Sequence, residues 1–268
     1  MSATLAVGIA QFAPGPDRAA NLDAIERLVR LAAGRGARLV VLPEYSSYFG
    51  GELGPHYAEH AERLDGPFTA ALGALARELD VFLVAGLITT VTDPARFANT
   101  VVAVSPAGEV VARYGKVHLY DAFGVRESDW MEAGAITGAA VFDADGFAVG
   151  LQTCYDIRFP EVSRTLVDAG AEVLVVPAEW VRGPLKEHHW RTLLTARAIE
   201  NTAFAVAADH IPPVGVGVSL VIDPMGVELA GLGESEGVAV AWLERARLDE
   251  VRAKNPALAL RRFTVAPR

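Results

Sequence analysis

Residues 148–176 read AVGLQTCYDIRFPEVSRTLVDAGAEVLVV, and the pattern of that stretch decides the fold class. Ala148 to Thr153 is a strand-sized apolar run, Pro160 opens a helix that closes near Gly170, and Val173 to Val176 is a second apolar run. Strand, helix and strand in such close succession make a βα unit, which implies neighbouring parallel strands. The same order occurs upstream. Leu5 to Ala10 reads as a strand, and Asn21 to Ala33 carries Leu22, Ile25, Leu28, Val29 and Ala32 at three- and four-residue steps, with Gly34 as a stop. Arg38 to Leu42 is the next strand, Gly66 and Pro67 open a helix to about Glu78, and Val81 to Ile88 is a third strand. Downstream, a helix from His188 to Glu200 leads to a strand from Ala203 to Ala208, so two similar halves are expected.

Hairpin chemistry interrupts the βα series at three places. Thr100 to Val104 meets Glu109 to Tyr114 through Ser105-Pro106-Ala107-Gly108, Ala140 to Phe142 meets Ala148 to Thr153 through Asp145-Gly146, and Ser219 to Ile222 meets Val227 to Ala230 through Asp223-Pro224-Met225-Gly226. A strand from Val238 to Trp242 and a short helix from Leu248 to Lys254 follow. No Ser/Gly linker divides the chain, so residues 1–268 are expected to form one α/β domain of two packed mixed sheets with helices outside. A single doubly wound sheet accommodates three hairpins poorly.

Composition narrows the function. The 268 residues hold 24 Lys and Arg against 33 Asp and Glu, a formal charge of −9, which argues against a nucleic-acid partner. One cysteine makes no internal disulfide and fits a reducing compartment. The start, MSATLAVGIAQFAPG, lacks the basic residues and cleavage pattern of a signal peptide, and the apolar runs fall short of the roughly 18 residues of a membrane span. A cytoplasmic protein without membrane association is expected. There is no Gly-rich phosphate loop, so no nucleotide cofactor is implied. His56 and His60 are four apart, but Tyr57 stands where a metalloprotease helix carries its Glu, and no metal is expected.

Three reactive residue types fall just past expected strand ends, where α/β sheets bind ligands: Glu44, Lys116 and Cys154. Each alone has an ordinary explanation, as a surface or ion-paired carboxylate, a solvated lysine and a small buried hydrophobe. Together they are chemically coherent. A free thiol near pKa 8.5 and a Glu near 4.3 differ by about 4.2 units, so full proton transfer costs roughly 5.7 kcal/mol. Burial and a second carboxylate raise the Glu, while an ammonium and a helix amino terminus lower the thiol, and both narrow the gap. Glu127 is a candidate second carboxylate. Backbone N–H groups of residues 155–159, Tyr155 first, are candidates for stabilising an oxyanion. A Cys-His dyad using His118, His188 or His189 is the rival arrangement, and the spacing offers no way to place them.

At these residues the sequence resembles the nitrilase superfamily of carbon-nitrogen hydrolases. The matching segments are Val41-Leu42-Pro43-Glu44, Tyr114-Gly115-Lys116-Val117-His118-Leu119 and Thr153-Cys154-Tyr155-Asp156-Ile157-Arg158-Phe159-Pro160-Glu161, continuing through Arg197-Ala198-Ile199-Glu200-Asn201 and Asp223-Pro224-Met225-Gly226. The resemblance implies a four-layer αββα sandwich, assembly as a homodimer or higher homo-oligomer, and a metal-free, cofactor-free Glu-Lys-Cys site. It also implies roles: Glu44 as general base and acid, Lys116 as oxyanion stabiliser, Cys154 as nucleophile and Glu127 as the second glutamate.

Within the superfamily, residues 118–124, Glu127-Ser128 and residues 180–190 look most like the bacterial deaminated-glutathione amidases. That likeness implies a small carboxylate-bearing amide as substrate, hydrolysed through a thioester, with Tyr120, Arg182 and Lys186 as candidate substrate contacts. Arg158 has an alternative structural reading, paired with Glu161 or Asp156. Tyr45-Ser46-Ser47-Tyr48-Phe49 and the apolar stretch 209–218 depart from the expected pattern, and both are candidates for bordering the pocket. An ω-amidase, a nitrilase, an N-carbamoyl amidohydrolase and a non-catalytic binding module remain as alternatives.

Overall fold

In a computed structural model, which describes residues 3–136 and 138–267, the chain folds into two six-stranded sheets packed face to face. The first half runs β1 (Thr4–Gln11), α1 (Arg18–Gly34), β2 (Leu39–Val41), α2 (Pro55–His60), α3 (Pro67–Leu79), β3 (Phe82–Thr90), β4 (Phe97–Val104) and β5 (Val110–Gly115). The second runs β6 (Val141–Ala144), β7 (Phe147–Leu151), α4 (Pro160–Asp168), β8 (Val173–Pro177), α5 (Lys186–Asn201), β9 (Phe204–Ala208), β10 (Leu220–Ile222), β11 (Glu228–Gly231), β12 (Gly237–Glu244) and α6 (Arg245–Lys254). Strand orders are β12-β1-β2-β3-β4-β5 and β11-β10-β9-β8-β7-β6. Each sheet has a parallel centre, β1-β2-β3 or β7-β8-β9, extended by antiparallel strands, and the three expected hairpins all form.

The period of two along each strand sorts side chains between the layers. Leu5, Val7 and Ile9 of β1 and Leu39 and Val41 of β2 meet Val149, Leu151, Val173, Val175 and Val206 of the opposite sheet in one buried core. The alternate residues Ala10, Val40 and Leu42 pack outward against Ile25, Leu28, Val29 and Ala32 of α1. On the far side Val176, Ala205 and Ala207 pack against Trp190, Leu194 and Ala198 of α5. The result is the four-layer αββα sandwich, and the single-sheet alternative is excluded. Asp17 caps α1 by accepting the N–H groups of Ala19 and Ala20 at 2.9 and 3.3 Å.

The helix α2 was not anticipated from periodicity, because six residues give no repeat to read. It brings His56 and His60 together with Tyr48, whose ring stacks on His60 at 4.2 Å, so the two histidines serve packing. Among the described residues, no group of His, Cys, Asp and Glu has the arrangement of a metal site, and no helix is long and apolar enough to cross a membrane.

Candidate active site

The carboxyl ends of the central parallel strands of both sheets converge on one site. Glu44 lies just past β2, and Gly86 of β3 lets its backbone approach closely, since a Cβ on Gly86 would sit 2.6 Å from the Glu44 Cα. Cys154 lies just past β7, at the start of a short 3-10 turn (Cys154–Arg158), with φ +44°, a left-handed conformation unfavourable for a residue bearing a Cβ. The buried Asp156 carboxylate fixes that turn. It accepts the Thr153 N–H at 3.2 Å, the Tyr114 hydroxyl at 2.8 Å and the His118 N–H at 3.3 Å, and lies 2.9 Å from the His118 ring. The loop bearing Cys154 is thereby tied to the chain segment bearing Lys116.

Lys116 follows β5 and is fully buried. Its ammonium donates to Glu44 Oε1 at 3.0 Å and to Glu127 Oε1 at 2.9 Å. Glu44 also accepts Asn99 Nδ2 at 2.6 Å and the Glu179 N–H at 2.7 Å, while Glu127 accepts the Tyr120 N–H at 2.7 Å and the Tyr45 hydroxyl at 3.2 Å. Beneath Glu44 the buried His210 ring lies 2.7 Å from the Glu44 carbonyl; a carbonyl only accepts, so His210 Nε2 carries the hydrogen. Burial lowers His210 to about 4, so the ring is neutral.

Burial disfavours the Lys116 ammonium, but Glu127 and Glu44 outweigh it and hold the group protonated, well above the ordinary lysine value. Burial pushes Glu127 up, with Lys116 opposing and Glu44 reinforcing. For Cys154, burial and the Glu44 charge push the thiol well above its ordinary value, against the pull of Lys116. The ammonium does pull the thiol down, as expected, but burial and Glu44 outweigh it, so the net shift at rest is upward. Cys154 Sγ donates to the Glu179 carbonyl at 3.5 Å, as a protonated thiol does.

Lys116, Glu127 and Cys154 line a narrow cavity of about 10 Å³, the space of a single water, together with Tyr120, Tyr155, Glu179, Trp180, Val181 and Lys186. An adjoining chamber of about 390 Å³ shares Tyr120, Glu127, Glu179 and Val181 and extends along Tyr45, Phe49, Leu53, Arg126 and Trp130. The segment 45–49 thus borders the chamber through Tyr45 and Phe49, whereas 209–218 lines neither space.

Of three cations near this site, Lys186 lines the cavity as the sequence suggests, whereas Arg182 and Arg158 are placed differently. Lys186, the first residue of α5, is buried; its ammonium donates to the Tyr120 hydroxyl at 2.8 Å and lies 4.1 Å from the centre of the Phe123 ring. Arg182 lines neither cavity, and its exposed guanidinium pairs with Glu234 at 3.2 Å. Arg158 pairs with neither Glu161 nor Asp156. Its guanidinium lies 4.9 Å from the Trp180 ring centre and 3.3 Å from His189 Nδ1, and its Nε is buried without a partner. Burial and the Arg158 charge both lower the Lys186 ammonium, with Glu179 opposing them. None of His118, His188 and His189 lines the cavity that holds Cys154.

Sequence reasoning missed Glu179, Asn99 and the anchoring role of Asp156. For Glu179 a signal existed. Val41-Leu42-Pro43-Glu44-Tyr45 past β2 is echoed by Val175-Val176-Pro177-Ala178-Glu179-Trp180 past β8, the matching central strand of the other sheet.

The carbon-nitrogen hydrolase family matches residues 6–253. A protein of Escherichia coli O157:H7 named deaminated glutathione amidase is 40% identical over 259 residues, covering 96% of this chain and 97% of that one. Among solved structures, the C. elegans NitFhit protein superposes with a TM-score of 0.88 at 29% identity, over 98% of this chain and 67% of that chain. A mutant amidase of Nesterenkonia, described as carrying the acetamide moiety of fluoroacetamide covalently on its active-site cysteine, superposes with a TM-score of 0.78 at 27% identity, over 96% of this chain and 97% of that one. This chain belongs to the carbon-nitrogen hydrolase family.

Proposed function

We propose that the protein is an amidase that hydrolyses a small carboxylate-bearing amide through a thioester on Cys154. The observation that carries this reading is the buried Lys116 ammonium shared between Glu44 and Glu127 in the cavity that holds Cys154. Glu44 takes the thiol proton as Sγ attacks the amide carbonyl, and Lys116 with the Tyr155 N–H stabilises the tetrahedral oxyanion. Glu44 then passes its proton to the amine nitrogen as the C–N bond breaks. Water attacks the thioester with Glu44 as base, releasing the acid and restoring the thiol. Glu127 takes no proton in this scheme and acts by fixing Lys116. The carboxylate of the acyl part is met by Lys186, as expected from the sequence, with the nearby Arg158 guanidinium adding positive charge from outside the cavity lining, whereas Arg182 is paired with Glu234.

The E. coli relative makes the oxoglutaryl amide of cysteinylglycine the first substrate to assay, alongside simple oxo-acid amides, a nitrile and a ureido acid. Released cysteinylglycine, ammonia or carbon dioxide separates the members of the superfamily. Cys154→Ala is expected to lower kcat by at least about a thousandfold. Turnover of any of these amides by Cys154→Ala at the wild-type rate would end the covalent reading.

A further inference from the structure

One carboxyl in the narrow cavity has no role in the proposed mechanism. Glu179 follows β8 and is held by its backbone to both reacting residues: its N–H donates to Glu44 Oε2 at 2.7 Å and its carbonyl accepts Cys154 Sγ at 3.5 Å. The next residue is fixed too, since the Trp180 N–H donates to the buried Asp209 carboxylate at 2.6 Å. The backbone that carries the side chain is therefore fixed in the site. It is one of four residues common to the narrow cavity and the larger chamber. Of the other three, Glu127 is occupied by Lys116, Tyr120 by Lys186, and Val181 is apolar. Among the described residues, the Glu179 carboxyl has no hydrogen-bond or ion-pair partner, although it is half-buried.

A half-buried carboxyl in the lining with no protein partner has its hydrogen-bonding capacity available to whatever occupies the cavity. Position decides which part of the substrate that is. The acyl carbon must lie at Cys154, and its carboxylate is accounted for by Lys186 and Arg158. The chamber of about 390 Å³ on the other side of Glu179 is then left for the departing amine, and it is far larger than ammonia needs. We propose that Glu179 is a specificity-determining residue for the leaving group: its carboxyl hydrogen-bonds the amine portion of the substrate at the neck of the chamber and selects multi-atom amines bearing polar groups near the scissile nitrogen over ammonia or an alkylamine. The inference rests on the amidase reading above and adds the leaving-group class to it. Burial, Glu44 and Glu127 push the Glu179 carboxyl well above the usual range, against the pull of Lys116.

The test uses three amides of one oxoglutaryl acyl group, with ammonia, butylamine and cysteinylglycine as amines, on the wild type, Glu179→Ala and Glu179→Gln. For wild type, kcat/KM is expected to be highest for the cysteinylglycine amide. Glu179→Ala should lower it for that amide about five- to tenfold more than for the butyl amide or the primary amide, the range for one lost hydrogen bond. Glu179→Gln, which keeps a donor and an acceptor, should recover most of that difference. Equal losses on all three amides in Glu179→Ala would overturn the assignment while leaving the amidase standing. A wild type inactive on all three would instead overturn the amidase reading and this inference with it.

Discussion

The Cys154 thiol enters catalysis protonated because burial and the surrounding carboxylates outweigh the single ammonium of Lys116. Reactivity then depends on Glu44 removing the proton as attack occurs, rather than on a standing thiolate. Alkylation by iodoacetamide should accordingly keep rising with pH beyond the range where a free thiol, with its pKa of about 8.5, has levelled off. A plateau reached below pH 8 would show a thiolate at rest and contradict the electrostatic account. The cations give a second residue-level expectation. Lys186→Gln should raise KM for a carboxylate-bearing amide several-fold more than for a neutral one, whereas Arg182→Ala should shift both equally or not at all, because its guanidinium is turned outward to Glu234. A selective KM effect at Arg182 would return it to the site.

Strands proved more legible than loops, and the reason is physical. A strand such as Val173–Pro177 announces itself through burial on both faces, and Pro160 and Gly66-Pro67 mark their helices through backbone chemistry. Glu44, Lys116 and Cys154 were legible as a set because each follows a strand. Loop side chains carry no such periodic mark: nothing local distinguishes Arg182, which faces solvent, from Lys186, which faces the cavity four residues later. The end of β9 bears on pH. His210 is buried neutral under Glu44 with its value lowered to about 4, against 6.5 for an unperturbed ring. Because the folded value is depressed, its contribution is fully present above pH 6.5 and is lost as the pH falls towards 4, by about 3 kcal/mol in total. Urea unfolding across that window should show this slope, and His210→Gln should flatten it; an unchanged slope in the variant would assign the acid sensitivity elsewhere.

At the scale of the whole molecule, the outer face of the second sheet's layer leaves Ile199, Met225 and Val227 exposed together, with Ile199 packed close to Gly226 between the other two. We propose this cluster as part of a homodimer interface. Sedimentation equilibrium should report a dimer that Ile199→Glu with Met225→Glu converts to monomer; a wild type that sediments as a monomer would remove the proposal. The two sheets also divide the reagents between them. Glu44, Lys116 and Glu127 come from the first half of the chain, and Cys154, Glu179 and Lys186 from the second. Neither half therefore holds both the general base Glu44 and the nucleophile Cys154 of the proposed mechanism. A nascent or partly unravelled polypeptide consequently lacks hydrolytic competence, which arrives only when the two halves dock and bring base and sulfur together.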